Sequence, residues 1–259
     1  MRKFFSIFTS IFCLVFVITA CSAGTSEKSL ESIKEKGTIK IGSSTTGPPF
    51  SFMNSKNELD GLMIDIVKEI AKGLEVKTEI QGMQFSSLIP AIEADKIDLI
   101  SAGMIITDER KKVIDFSEPI YSYGEGLVVS NTDNTIKTLD DLAGKKVGVQ
   151  QGTIYLDGLS DYPKIQPQTY KSIADMVSEL QNGRIDAFFA DYPIIIHMIK
   201  ENPDFKIKLV DSYEPIWTGD VGIGLPKEVD DLKRAVNDEI NQLKESGELD
   251  AIIAKWGLN

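Results

Sequence analysis

Three stretches of this 259-residue chain set a charged or hydroxylated side chain just beyond a short apolar run. Ile97–Lys112 reads IDLISAGMIITDERKK, with apolar Asp98–Ser101, then Ala102-Gly103, then Thr107-Asp108-Glu109-Arg110. Lys145–Gln150 runs into Gly152-Thr153, and Ile185–Ala190 runs into Asp191. Thr107 suits a helix N-cap, and Asp108 and Glu109 suit a first turn. Arg110 does not, because a cation there faces the positive end of the helix dipole at a cost of about 0.3–1 kcal/mol. A local rule broken at a strand end points to function. An arginine so placed can grip a carboxylate through two parallel hydrogen bonds. After Gln150, backbone N–H groups at a helix start and the Thr153 hydroxyl can receive an anion. Asp191 can hold an ammonium. Each residue also has a plain reading: a surface arginine, a Thr153 helix cap, and an Asp191 cap ahead of Pro193. Together they describe a receptor for a small zwitterion.

The elements that must position these residues follow from periodicity. Strands are predicted over Thr38–Ser43, Val76–Ile80, Asp98–Ser101, Gly126–Ser130, Lys145–Gln150, Ile185–Ala190, Lys206–Val210 and Val221–Leu225. Helices are predicted over Leu30–Lys36, Gly61–Lys72, Ser86–Ala94, Ser172–Gln181, Pro193–Lys200, Glu228–Glu245 (capped by Gly247) and Glu248–Ala254. Strands alternating with helices mean an α/β fold with mostly parallel sheet. In such sheets ligands sit beyond the carboxyl ends of strands. Leu88–Ser101 (LIPAIEADKIDLIS) and Met176–Ala190 (MVSELQNGRIDAFFA) share a helix, a basic residue, Ile-Asp and a buried strand. That echo fits two similar lobes, or ordinary βαβ monotony.

The N-terminus has Arg2-Lys3, an apolar run from Phe4 to Ile18, and Thr19-Ala20-Cys21, the layout of a secretory signal. Ile18-Thr19-Ala20-Cys21 resembles the lipobox of bacterial lipoproteins. The resemblance implies that residues 1–20 are removed and that Cys21 is lipidated, where an ordinary secretory peptide or an uncleaved anchor is the alternative. Two acyl chains suffice to hold a protein on a membrane where one is marginal. Cys13 lies in the removed run, so Cys21 is the one mature cysteine, and no disulfide, thiolate metal site or cysteine nucleophile is expected. His197, the single histidine, reads as packing or surface, so neither a triad nor a zinc site is expected. The formal charge is −11, and loss of Arg2 and Lys3 takes it to −13, which argues against nucleic-acid binding. Ser22–Lys36 reads as a polar tether. The remaining residues, about 220, suit one large domain or two lobes of ~100 residues each.

Several motifs occur in one order from Thr38 to Gly257: Ile41-Gly42 with Pro49-Phe50, Gly61 with Asp65, Phe85–Pro90, and Ala102-Gly103 with Ile106–Arg110. Phe116-Ser117-Glu118-Pro119, Val147–Thr153 and Ile185–Asp191 complete the set. Jointly they resemble the family 3, polar amino acid type, solute-binding proteins of bacterial ABC transporters. The resemblance implies a two-lobed, periplasmic-binding-protein-like (type II) α/β fold whose cleft closes on a ligand. The closed form then docks on a membrane permease with its ATPase. It implies a monomer, no cofactor, no metal, no catalysis and an extracytoplasmic place; Ser22 after Cys21 gives no Asp retention signal, which favours the outer face of a Gram-positive membrane. A cyclohexadienyl-dehydratase-like enzyme and a sensor or scavenger are alternatives on the same fold. Lobe I would span residues 38–123 plus 221–259 and lobe II residues 124–220, after a lipidated tether of residues 21–37. Crossings near Gly124–Val128 and Gly219–Val221 would be the hinge, with Gly124, Gly126 and Gly219 absorbing the dihedral change.

By the same resemblance, Arg110 and Thr153 fall on residues that bind the ligand's α-carboxylate. Asp191 and the Gly103 carbonyl fall on ligands of the α-ammonium, and Phe85 on an aromatic wall. Gln150 and Phe50 fall within matched motifs near them. Three positions depart from the pattern. Ile105 stands where a hydroxyl is usual, Ser44 where many members have an acid, and Gly47 where many have an aromatic. A lost hydrogen bond to a charged group is worth roughly 1.5–3 kcal/mol, so either the ligand is not an ordinary L-amino acid, for example one lacking a free α-amine, or the head group is held differently. Phe50, Phe52, Phe85, Tyr155 and Trp217 could surround a cationic ligand together with Asp191 or Glu214, or could be core packing.

Overall fold

The computed structural model describes residues 28–258. Cys21, the signal segment and the start of the tether lie outside the described residues. The first sheet is centred on Thr38–Ser44. It pairs in parallel with Lys77–Met83, from Thr38↔Lys77 to Ser44↔Met83, and with Leu99–Ile100. Gly224–Leu225 and Asp115–Phe116 extend that sheet antiparallel. The second sheet is centred on Lys146–Gln150, parallel to Gln166–Tyr170 and Ala187–Asp191, with Glu125–Ser130 and Ile207–Leu209 antiparallel beyond. Both sheets therefore share one spatial pattern: a parallel strand flanked by two parallel partners, with two further strands joined antiparallel beyond one of them. A two-stranded ribbon, Tyr121–Tyr123 with Gly219–Val221, lies where the chain passes between the sheets.

The sequence echo is structural. Asp98 accepts from the Lys40 backbone N–H at 2.8 Å, and Asp186 accepts from the Lys146 N–H at 2.8 Å. The isoleucine ahead of each aspartate covers a glycine on the central strand. A Cβ on Gly148 would come within 2.9 Å of Ile185 Cδ1, and a Cβ on Gly42 would collide with Ile97 Cδ1. One Ile-Asp pair thus locks Leu99–Ile100 to Thr38–Ser44 and another locks Ala187–Asp191 to Lys146–Gln150, through packing on one side and a carboxylate–amide bond on the other.

Amphipathic helices cover the faces. Leu62–Gly73 buries Leu62, Met63, Ile66, Val67 and Ile70 under the first sheet, and Ile173–Gln181 buries Ile173, Met176, Val177 and Leu180 under the second. Ser172 caps the latter by accepting from Asp175 N–H. Asp230–Ser246 ends at Gly247 in the left-handed region, φ 78°. The expected strand Val221–Leu225 is divided: Gly219–Val221 serves the ribbon and Gly224–Leu225 the first sheet. Two elements were not expected. Gln166–Tyr170 is a polar edge strand, where Pro167 is tolerated. Thr46–Gly47, Ser51–Met53 and Leu59–Asp60 form a small antiparallel sheet. Among the described residues, no helix is long and apolar enough to cross a membrane.

Candidate functional site

The carboxyl ends of Thr38–Ser44, Leu99–Ile100, Lys146–Gln150 and Ala187–Asp191 face one cleft between the two sheets. It is lined from the first sheet by Ser44, Gly47, Phe85, Ala102, Ile105 and Arg110, and from the ribbon by Tyr123. The second sheet's side contributes Gln150, Thr153, Ile154, Tyr155, Asp191 and Ile194.

Arg110 enters from a single helical turn, Asp108–Lys111, whose N-cap Thr107 accepts from the Arg110 N–H at 3.2 Å. Four residues carry little macrodipole, so the dipole penalty expected for Arg110 is small. What marks Arg110 is the direction of its side chain. Its Nη1 donates to the Ile105 carbonyl, and its Nη2 donates to the Gly152 carbonyl at 2.8 Å, across the cleft. The guanidinium carbon lies 5.7 Å from the Phe85 ring centroid, within cation–π range. Burial lowers the pKa of the guanidinium, while Tyr123 and Asp191 act in the opposite direction. Gly152 approaches the first-sheet side so closely that a Cβ there would stand 2.9 Å from Ser86 Cα, and its φ of +80° suits glycine.

Thr153 precedes a helix of five residues, Ile154–Gly158, and its side chain does not cap it. The hydroxyl instead donates to the Gln150 carbonyl at 2.7 Å and leaves its oxygen on the cleft. So short a helix adds little dipole, and any anion contact here rests on the hydroxyl and local N–H groups. Gln150 is buried, and its Nε2 donates to the Lys171 carbonyl at 3.1 Å.

Asp191 does not cap the helix Tyr192–Glu201. Its Oδ1 accepts from the Tyr155 hydroxyl at 2.6 Å and its Oδ2 from the Tyr123 hydroxyl at 2.9 Å. The Tyr123 hydroxyl also lies 2.8 Å from the Gly103 carbonyl, so its single proton serves two acceptors in two parts of the chain. Burial pushes the Asp191 carboxyl up to about 6, against the two tyrosine hydrogen bonds and Arg110. Glu125, its register partner across the antiparallel pair, raises it further. Glu125 is itself fully buried and accepts from Tyr213 Oη at 2.7 Å, Ile216 N at 2.8 Å and Trp217 N at 3.0 Å. Burial and Asp191 hold both the Tyr123 and Tyr155 hydroxyls well above the usual phenol range.

Nine of the expected residues therefore meet at one cleft: Arg110, Asp191, Thr153, Phe85, Ile105, Gln150, Ser44, Gly47 and Tyr155. Gly103 stands behind the lining, its carbonyl facing the Tyr123 hydroxyl. Phe50 is 1% exposed and packs its ring 5.2 Å from Tyr123 and 5.8 Å from Tyr121, so it supports the wall rather than facing the cleft. Phe52 packs on Trp256 away from the lining, Trp217 packs on Phe189 at 5.3 Å and on Tyr155 at 6.1 Å just behind it, and Glu214 is exposed outside it. His197 is half-buried outside the lining. Sequence reasoning missed Tyr123, Ala102, Ile154 and Ile194. The signal for Tyr123 was its place just before Gly124, where the chain leaves the first sheet.

The model for bacterial extracellular solute-binding proteins, family 3, matches residues 39–259. The L-cystine-binding protein TcyJ of Escherichia coli (strain K12) is 34% identical over 245 residues, covering 92% of this chain and 91% of that protein. The arginine-binding extracellular protein ArtP of Bacillus subtilis (strain 168) is 32% identical over 247 residues, covering 94% of each. A crystal structure of a mutant of ArgBP from T. maritima superposes with a TM-score of 0.83 at 35% identity, covering 89% of this chain and 99% of that one. With paired α/β sheets, a cleft at their strand ends and a family match over nearly all of the described residues, the chain belongs to the bacterial extracellular solute-binding proteins, family 3.

Proposed function

We propose that this protein captures an α-amino acid, or a zwitterion of the same head-group chemistry, and delivers it unchanged to the permease and ATPase of an ABC transporter. The observation that carries this is the meeting of Arg110 and Asp191, from opposite sides of one cleft, with Tyr123 between them. A carboxylate takes the free N–H groups of Arg110 and the Thr153 hydroxyl. An ammonium takes Asp191 and the Gly103 carbonyl, drawing the Tyr123 hydroxyl off one of its two acceptors. The cystine- and arginine-binding relatives support an amino acid as the class of ligand.

Lobe I comprises residues 38–123 and 221–259, and lobe II residues 124–220. The Tyr121–Tyr123 and Gly219–Val221 ribbon supports a hinge there, with Gly124, Gly126 and Gly219 flexing. Contacts complete only in the closed form give the ligand its hold on the equilibrium. The mature protein is a monomer held by lipidated Cys21 on the outer face of a Gram-positive membrane. That placement rests on the Ile18–Cys21 lipobox.

The test is thermal melting and calorimetric titration of the mature chain with the common L-amino acids, followed by mass spectrometry of the ligand. A rise in melting temperature with the ligand recovered unchanged is expected. No response across the panel overturns the proposal. A carboxyl raised to about 6 beside a cleft also favours a second reading, general-acid elimination of a dehydratase kind. Recovery of unaltered compound after long incubation rejects it.

A further inference from the structure

The cleft is balanced in charge. Among its lining residues Arg110 is the sole cation and Asp191 the sole carboxylate. The rest are neutral: glycine, alanine, isoleucines, aromatics, and the polar Ser44, Gln150 and Thr153. A ligand carboxylate on Arg110 and an ammonium on Asp191 consume both charges. Asp191 is already bonded to two tyrosine hydroxyls, which leaves little room for a second cation on it. One more acid, Asp157, acts on Arg110 electrostatically, but it is exposed and outside the lining. Ser44 is 4% exposed on the cleft wall, and its hydroxyl accepts only a long backbone contact from Thr46 N–H at 3.4 Å. Ile105, Ile154 and Ile194 present hydrocarbon to the same space.

We infer that this site takes amino acids whose side chains carry no net charge, and excludes both basic and acidic ones, because the balanced cleft lacks a partner for a third charge. The inference rests on the proposed zwitterion site. A side chain bearing a charge must shed its water into a space walled by isoleucine and aromatic rings, with no counter-ion to receive it. Ser44, Gln150 and the isoleucines instead suit a side chain that is apolar or carries neutral polar groups. Aromatic rings near the site do not alter the charge count, since Phe85 is engaged with Arg110.

The experiment is calorimetric titration of the refolded, ligand-stripped mature chain with L-glutamine, L-methionine, L-arginine, L-lysine and L-glutamate. L-Glutamine or L-methionine is expected to bind at least about 100-fold more tightly than L-arginine, L-lysine and L-glutamate, given an unpaired buried charge. A companion variant, Ser44→Asp, puts an acid on the wall. It is expected to narrow the preference for L-glutamine over L-lysine by about tenfold or more. L-Arginine or L-lysine binding as tightly as the neutral probes overturns this inference and leaves the zwitterion receptor intact. Binding by none of the five overturns this inference, and the receptor reading falls with it only if the wider panel of common L-amino acids is silent too. If Ser44→Asp does not fold, the wild-type ranking decides alone.

Discussion

Asp191 makes ligand capture depend on pH with a sign that can be worked out in advance. Its carboxyl is held at about 6, while an aspartate in an unfolded chain titrates near 3.8. An ammonium ligand needs the ionised form. Affinity is therefore full above pH 7 and falls about tenfold for each unit well below 6, so that binding at pH 5 is roughly tenfold weaker than at pH 8. An α-amino acid's own carboxylate and ammonium do not titrate in this window, so Asp191 is the group that sets the slope. Stability runs the other way. Between about pH 4 and 6 the folded protein holds a proton on Asp191 that the unfolded chain has lost. Stability from this group is thus present below pH 4 and declines as pH rises through 6, by about 3 kcal/mol for a shift of about two units. The ligand-induced rise in melting temperature is accordingly larger at pH 8 than at pH 5. The assay is calorimetric titration with L-glutamine at pH 5, 6, 7 and 8 and constant ionic strength, with Asp191→Asn as control. The control is expected to bind weakly and without slope. A wild-type affinity constant from pH 5 to 8, or a slope that survives in Asp191→Asn, refutes the reasoning.

Arg110→Ala removes the charge-assisted pair to a ligand carboxylate and is expected to cost about 3 kcal/mol or more, over 100-fold in Kd by calorimetry. Tyr123→Phe removes a donor from the ionised form of Asp191, so the midpoint of the pH profile moves above 6 as binding weakens. Glu125→Ala strands Tyr213 Oη and the Ile216 and Trp217 N–H groups, and thermal or urea unfolding should register a loss of about 3 kcal/mol or more. Cys21→Ser is expected to move the protein from the membrane fraction to the medium, as read by fractionation and blotting.

The parts of this molecule written in short-range pattern were legible from residues alone. Ile97-Asp98 and Ile185-Asp186 could be seen as an echo because the same two side chains do the same work beside each central strand. Arg110, Thr153 and Asp191 stood out because each follows an apolar strand, and strand ends face the cleft. What depends on distant pairing was not legible. Tyr123 meets Asp191 from 68 positions away, and nothing local to either announces the bond. Phe50 was placed on the cleft because its type suits a wall, but burial direction is set by Tyr121 and Tyr123 folding over it. The run VGIGL reads as one strand because apolarity does not say which sheet each residue joins. Gln166–Tyr170 lacked any apolar run because an edge strand needs to satisfy water along much of its length.

The burial of Asp191, with a smaller push from Glu125 across the strand pair, makes the unliganded receptor a frustrated object. Burial denies the Asp191 carboxylate the water that would solvate it, and the neighbouring acid adds a lesser repulsion. An incoming ammonium ends that conflict, so part of the drive for capture comes from relief already stored in the sheet rather than from new contacts. Replacing Asp191 by asparagine should raise the melting temperature of the unliganded protein at pH 8 while abolishing capture. Durability and responsiveness thus pull on the Asp191 side chain in opposite directions. A lineage selected only for ruggedness would drift toward a sturdy fold that no longer answers its cargo.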